Sequence, residues 1–487
     1  MDPTEARSVA RSGALRVAVI GASSGALYLV VYLTQRGMFL NGLGEAPVDR
    51  TRLLFEAGVY YGATVLLFAL YVWVLLLCRR GLLHDRARTL ALLFPVLFNL
   101  GLLFGNPHQS IDALTYVAHG YLGNLPDANP YITAAASVED TDFGRQLASF
   151  GWLPVHGPSP YGPLWTHIEV VASAISGSAS AALLTVKALV VAASMGSAAL
   201  IWKILGRVRP EDQLLGTLVY LWNPVIVVEF AAEGHNDALM VLCVLLSLAL
   251  TVSARPAMSI VALMLGVLVK YLPLMLLPAQ AIYLWRTERS RSRLLGGLFL
   301  GLVIGLVLTV ALYSPFWAGL RTLDAVRFQG QPAISPSPSG LLYSYLLRSF
   351  SPDEAARFAL LILGVLFVEF VLILSWRIRG FNGLLQACAG IALAYVLVAS
   401  AEYWPWYAAF PLALLALAPR GIFLFAAVVI SLCSRLVAPV SVLLTRGVIS
   451  VETAVISKMA IGVTLPLATV ALLYLWRWRR RGMPVKE

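Results

Sequence analysis

The sequence predicts an all-α, polytopic membrane protein, and three observations carry that reading. Hydrophobic residues fill 59% of the 487 positions and charged ones 13%, with a mean hydropathy of +0.80, far from the balance of a soluble globular chain. Apolar runs of about 20 residues, the length a bilayer demands, recur from end to end. Lys and Arg fall in short clusters between those runs and not along one face. The net charge of +11 therefore records orientation by the positive-inside rule, not a nucleic-acid surface. A single integral membrane domain over residues 1–487 is expected.

The first run follows Arg7, Arg11 and Arg16, and no small-residue cleavage site comes after a short apolar core, which marks a retained helix. Gly21 and Gly25 within it suit close helix packing. Spans are expected at about 14–35, 54–78 and 88–105, with Arg79, Arg80, Arg86 and Arg88 holding the loop between the last two in the cytoplasm. The third span then delivers Asp112 to the outer side. Residues 106–162 form a first large outer loop, and from Asn106 to Val186 Arg145 is the only Lys or Arg, as a translocated segment requires. Within it, Ile111–Leu122 has the length of a short surface helix, and Asn124–Tyr131 reads as turns around Pro126 and Pro130. Trp152, Tyr161 and Trp165 are expected to anchor the loop at the headgroups.

From Gly162 to Leu205 come about 15 apolar residues, a small-residue break at Ser176–Ser180 and a full span ending at Lys203, Arg207 and Arg209. The net crossing number is odd, with one part re-entrant or shallow. Spans at about 213–231 and 237–253 make a hairpin whose outer tip is Glu233, Gly234, His235, Asn236 and Asp237. Ala257–Trp285 has basic residues at both ends and must cross an even number of times, which predicts two short helices meeting near Lys270, Tyr271 and Pro273 on the outer side. A span at about 294–314 leads to a second outer loop, residues 315–354, with Arg321 and Arg327 on an expected amphipathic helix and a Pro/Ser-rich stretch that is a lid candidate. Spans near 355–376 and 382–400, the outer tip Glu402–Trp406 and three further spans lead to the basic tail Arg477, Arg479, Arg480 and Arg481. Parity then places both termini in the cytoplasm. Cys78, Cys243, Cys388 and Cys433 lie scattered in apolar stretches and are expected as free thiols. Neither a repeat of about 20–50 residues nor inverted-repeat symmetry is visible, which weakens a transporter reading.

This topology gathers Asp112, His235, Asn236, Asp237, Lys270, Arg321, Arg327 and Glu402 at one membrane face. A carboxylate there can take the proton that an attacking hydroxyl loses, and fixed cations can stabilise a departing phosphate. Each residue also has an ordinary role open to it. Asp112, Asn236 or Asp237 would cap the helix that begins beside it. Lys270 would snorkel to the headgroups, Arg321 and Arg327 would be solvated cations, and Glu402 would belong to an aromatic belt. His108, His119 and His156 have no metal-ligand spacing.

Four segments in order, HQSIDALTYVAHG with NPY, SPYGPLW, WNPVIVVEFAAEGHNDALM and LVKYLPLMLLP, resemble the bacterial polyprenol-phosphate-mannose-dependent α-mannosyltransferases of the GT-C glycosyltransferase superfamily. The resemblance covers about residues 90–290, and the C-terminal half matches by hydropathy alone. It implies a GT-C-like bundle of about 12 to 14 transmembrane helices with short surface helices in the outer loops. It also implies a bacterial cytoplasmic (inner) membrane enzyme with its site facing outward. Such an enzyme moves a mannosyl group, with inversion, from a polyprenyl-phosphate donor to a hydroxyl of a glycan or glycolipid. Asp112 takes the position of the base. Lys270, His235, Asn236, Asp237, Arg321, Arg327, Tyr161 and Glu402 are the candidates for contacts to the donor phosphate or sugar. Many members of the superfamily carry two adjacent acids in this loop, whereas Ala113 and Leu114 follow Asp112, so no metal or other cofactor is expected to be required. The alternatives are a transporter or lipid-linked-sugar flippase, which needs polar residues continuing across the bilayer, and a non-catalytic assembly subunit.

Overall fold

Backbone groups within a bilayer have no water to bond, so each apolar run closes its hydrogen bonds within a helix. The computed structural model describes residues 3–41, 47–155, 157–329, 337–401 and 403–481. Its helices are, in order, α1 (Pro3–Leu40), α2 (Arg50–Arg79), α3 (Asp85–Leu103), α4 (Asp112–Leu122), α5 (Asp142–Ser149), α6 (Pro163–Ser176) and α7 (Ala179–Val208). There follow α8 (Gln213–Leu221), α9 (Pro224–Val227), α10 (Asp237–Val252), α11 (Pro256–Val269), α12 (Leu277–Thr287), α13 (Arg291–Tyr313) and α14 (Asp324–Gln329). The last are α15 (Pro338–Leu346), α16 (Pro352–Trp376), α17 (Gly380–Ala394), α18 (Ala409–Ala416), α19 (Gly421–Thr445), α20 (Val451–Lys458) and α21 (Leu465–Arg481). Among the described residues there are no named strands.

Nine helices of the described residues are long and apolar enough to cross a membrane, ten if the bent pair Pro210–Leu221 and Pro224–Ala232 is one span. Three shorter apolar helices, Asp237–Val252, Pro256–Val269 and Pro405–Ala416, complete the set. The protein is an all-α, multi-pass membrane protein. The bend of 51° has a local cause. Pro224 has no N–H to continue the ladder of α8, and the Asn223 side chain instead accepts from Val225 N at 3.0 Å while donating to Ser431 Oγ at 2.7 Å.

Between Gly162 and Leu205 only α7 has the length of a span. Gly177, in the left-handed conformation, ends the shorter α6, and the Ser178 side chain caps α7. The expected pair of short helices around Lys270 is also present: α11 ends at Val269, the chain extends through Lys270, and a 3₁₀ turn leads into α12.

Two expectations need correction. The helix over Ile111–Leu122 forms as α4, but it does not lie on the surface: Ala113 through Gly120 are all buried, because α4 packs between α6, α7 and the loop that follows it. Trp152 and Trp165 are likewise buried in the protein and not placed at headgroups. Trp152 Nε1 donates to Thr115 Oγ1 of α4 at 3.2 Å, and Trp165 stands edge-on to Tyr116. Hydropathy cannot separate an apolar residue facing lipid from one facing protein. Of the loop helices, α5 is the amphipathic one that rests on the surface, with Phe143 and Leu147 inward. All four cysteines are free.

Gly120 sets how closely α4 approaches α6, since a Cβ there would fall on the backbone carbonyl of Glu169. Gly120→Ala is expected to destabilise the fold by about 1–3 kcal/mol, read as a lower aggregation temperature of the purified protein. An unchanged temperature would show that α4 can shift at no cost.

Candidate active site

The site begins where α3 ends. The last carbonyls of α3 and the loop after it need donors, and the buried Lys187 of α7 supplies them, its ammonium donating to the carbonyls of Leu102 (3.3 Å) and Gly105. Glu233, at the tip between the π-helical turn Val228–Ala232 and α10, holds the next stretch. Its carboxylate accepts the backbone N–H groups of His108, Gln109 and Ser110 at 3.4, 2.9 and 3.1 Å. The tip reaches this loop because Gly234 has φ +78°, and because a side chain there would press on Ala113 and Lys187.

With the loop fixed, Asp112 becomes the first residue of α4, where a negative charge suits the helix dipole. The N-cap is Ile111, whose side chain makes no capping bond, and Ser110 Oγ accepts from the Asp112 N–H at 3.1 Å. Asp112 Oδ2 instead faces His235 Nδ1 at 3.6 Å, and Nε2 on the other side of the ring faces Glu229 Oε2 at 3.3 Å. These are charge contacts longer than a short hydrogen bond. Arg435 of α19 pairs with Glu229, and its Nη2 donates to the Tyr60 hydroxyl at 2.7 Å. The imidazole also stacks on Trp406 at 4.1 Å between centroids, and Trp406 stacks on Trp404 at 5.0 Å. Asp112 keeps 16% of its side chain exposed, whereas His235 and Glu229 keep none. Burial alone would depress His235, but the carboxylates of Asp112 and Glu229 more than reverse this and raise it to about 9, so the ring is an imidazolium at neutral pH.

Asp237 and Lys270 form a second unit. Lys270 Nζ lies 3.0 and 2.9 Å from the two oxygens of Asp237 and sits over the ring of Tyr407. An ammonium has three N–H groups, so this pair leaves room for one more acceptor. Tyr161 is tied to the same place: its carbonyl accepts from the hydroxyls of Tyr271 and Tyr131, each at 3.1 Å, and Gly162 N donates to Val269 O at 3.0 Å. Burial pushes the Tyr161 phenol well above its ordinary range, and the charge of Asp112 adds to the effect. Asn236 is the N-cap residue of α10, yet its side chain makes no capping bond. Its amide is wholly buried with neither polar atom hydrogen-bonded, an arrangement that a ligand would satisfy.

The structure thus brings Asp112 together with His235, pairs Asp237 with Lys270 and places Asn236 between these units in sequence. Arg321 and Arg327 are exposed on a 3₁₀ turn and the six-residue α14, and Arg327 pairs with Asp324 at 3.5 Å. The expected amphipathic helix is therefore short and solvated. Glu402, His156 and residues 330–336 of the second outer loop lie outside the described residues. His108 is buried, and burial first, then the charges of Arg36 and Lys187, lower it to about 4, which keeps it neutral. Among the described residues no three His, Cys, Asp or Glu side chains group as metal ligands.

Sequence reasoning missed Glu229 and Arg435, and the aromatic belt it left open around Glu402 does not hold for Trp406. Each of the two is a lone ion in an apolar span, a signal that was available, since an intramembrane charge is a functional candidate by default. Trp406 is 7% exposed against His235 and not part of a headgroup belt.

Residues 9–286, more than half of the chain, match a known domain, and the class it defines is a membrane mannosyltransferase of the GT-C type. The chain belongs to the MptA_B family, and the matching part of that family is the alpha-(1->6)-mannopyranosyltransferase N-terminal domain. No curated protein matches the chain.

Removing one half of the Asp237–Lys270 pair should expose its structural weight. Lys270→Met strands a buried carboxylate and is expected to cost about 3–5 kcal/mol, measured by thermal unfolding in detergent. Adding Asp237→Leu should recover most of that loss, and a double variant no more stable than the single one would count against the pairing.

Proposed function

We propose that this mannosyltransferase takes its mannosyl group from a polyprenyl-phosphate donor and transfers it, with inversion, to a hydroxyl of a glycan or glycolipid. Asp112 is the general base. The observation that carries the reading is the placing of Asp112: it is the partly exposed end of a row of side chains whose inner members are wholly buried. A substrate entering from solvent or lipid meets that carboxylate first. As the acceptor oxygen bonds to C1 of mannose, its proton passes to Asp112, and the bond from C1 to the phosphate oxygen breaks with its electron pair left on the phosphate. One displacement inverts C1, so a β-linked donor gives an α-linked product. The family description, alpha-(1->6), points to a primary hydroxyl at C6 of the acceptor.

Lys270 is the cation for the departing phosphate, held in place by Asp237 and with an N–H to offer. Asn236 contributes its unsatisfied amide to the sugar or phosphate. Tyr161 lines the acid side of the site. Arg321 and Arg327, exposed and joined to no member of this group by a hydrogen bond or ion pair among the described residues, serve as outer attraction for an anionic donor. The Lys and Arg clusters support cytoplasmic termini and a site facing outward, and the resemblance to the bacterial enzymes supports an inner-membrane location. Transfer proceeds in this reading without a required metal: Ala113 and Leu114, not a second acid, follow Asp112, and Lys270 supplies the positive charge for the departing phosphate.

Asp112→Asn keeps the shape and removes the base, and is expected to lower transfer from polyprenyl-phosphate mannose on the order of 10³-fold while the protein stays folded. Turnover of that variant at the normal rate would remove Asp112 from its role. Separately, purified enzyme treated with a chelator should keep its rate. Loss of activity restored by magnesium or manganese would contradict the metal-free step.

A further inference from the structure

Behind His235, polar side chains from two distant helices meet at one buried point. Glu229 belongs to the π-helical turn of a membrane-spanning pair and Arg435 to the middle of α19, and they are 0% and 1% exposed. An ion in such a place costs several kcal/mol unless it is paired. Packing alone does not call for the pair, since apolar residues of similar volume often serve as well or better. Its side chains reach toward the site through Glu229 Oε2, 3.3 Å from His235 Nε2, while the opposite ring nitrogen faces Asp112; the His235 backbone N–H also donates to the Glu229 carbonyl at 3.1 Å. Arg435 is held in turn by the Tyr60 hydroxyl of α2, which also donates to the Arg435 carbonyl at 3.1 Å.

We propose that Glu229, backed by Arg435 and Tyr60, is a positioning group that keeps His235 doubly protonated, so that Nδ1–H is always directed at the Asp112 carboxylate. The inference rests on Asp112 being the base for glycosyl transfer. Along the row the charges alternate, negative at Asp112, positive at His235, negative at Glu229 and positive at Arg435, so neighbours attract throughout and the sum is neutral. Facing His235 are Asp112 from α4, Glu229 and Glu233 from the preceding turn and tip, Arg435 behind Glu229, and the uncharged ring of Trp406. Asp237 on the same tip is taken up by Lys270. A neutral imidazole would keep one proton to share between two acids. Asp112 would then lose the charge that fixes its orientation.

The sign follows from the direction of the shift. The folded protein raises the histidine, so the imidazolium prevails below about 9 and is lost as pH rises through that value. With Glu229→Gln the ring should titrate toward its ordinary value, roughly 6.5. The test uses the full chain in lipid nanodiscs, with histidines labelled with nitrogen-15 and His235 identified by loss of its signal in His235→Gln. In the unaltered protein the His235 signal is expected to stay that of an imidazolium up to about pH 9. In Glu229→Gln it should become neutral at least about one pH unit lower, and kcat at pH 8 should fall on the order of tenfold with little change in KM for the donor. Glu229→Asp should restore both readouts. Identical His235 titration in the two proteins overturns the proposal, whatever the activity. Should the unaltered protein fail to use polyprenyl-phosphate mannose, the base assignment falls while the titration still judges the charge row. If Glu229→Gln does not fold, Tyr60→Phe, which removes both hydrogen bonds of the Tyr60 hydroxyl to Arg435 and no charge, is read instead: a smaller downward shift supports the proposal and none overturns it.

Discussion

Three backbone N–H groups converging on the Glu233 carboxylate are the contact on which the site depends. The loop from Gly105 to Ile111 has no regular structure to satisfy its donors, and buried donors need partners. Glu233 provides them from the hairpin tip, so the first loop and the tip are set against each other independently of the candidate site's other side chains. That one arrangement puts Asp112 at the start of α4 and His235 across from it. Lys187 closes the other end of the loop from α7. Backbone satisfaction, not attraction between the ionic side chains, brings the candidate site together.

Much of this was legible in the residues. The helical character, the break at Lys270, the hairpin tip and the prominence of Asp112 all follow from run lengths, basic clusters and turn residues. What was not legible has a common cause. Hydropathy measures a residue's aversion to water and is silent on what replaces the water. Hence α4, Trp152 and Trp165 read as surface features although protein covers them. The partnership of Glu229 and Arg435 spans 206 positions, and no local spacing can announce it. Asn236 and Asp237 looked alike as cap candidates, and the structure separates them: one is tied to Lys270, the other is left with unmet hydrogen bonds.

The family match stops at residue 286, yet the site does not. Arg435 and the Trp404–Trp406 stack come from beyond it and enclose His235 on the sides that the matched region leaves open. The N-terminal part supplies Asp112, His235, Asp237 and Lys270, and the C-terminal part supplies side chains packed against them. Helices α13 and α16, little buried by protein, stand at the lipid-facing edge between these contributions in the chain. A membrane protein can vary such edges freely as long as they stay apolar, which fits a C-terminal half recognisable mainly by its hydropathy.

The π-helical turn at Val228–Ala232 has a consequence for helical phase. A π turn holds one residue more than an α turn, so the point at which the chain leaves the helix is rotated by about 100° relative to an unbroken α-helix. Glu229 lies inside that turn, and the tip from Glu233 onward comes immediately after it. The extra residue thus acts as an angular offset built into the chain, facing Glu229 toward α19 while Glu233 and His235 face α4. Three such turns occur among the described residues, at Val228–Ala232, Tyr395–Ala399 and Met459–Thr464, and the second ends just before the aromatic tip that covers His235. Both walls of the histidine's slot are therefore indexed by the same one-residue device, and the spacing between helix and tip is fixed to the single residue even where the surrounding apolar sequence is interchangeable.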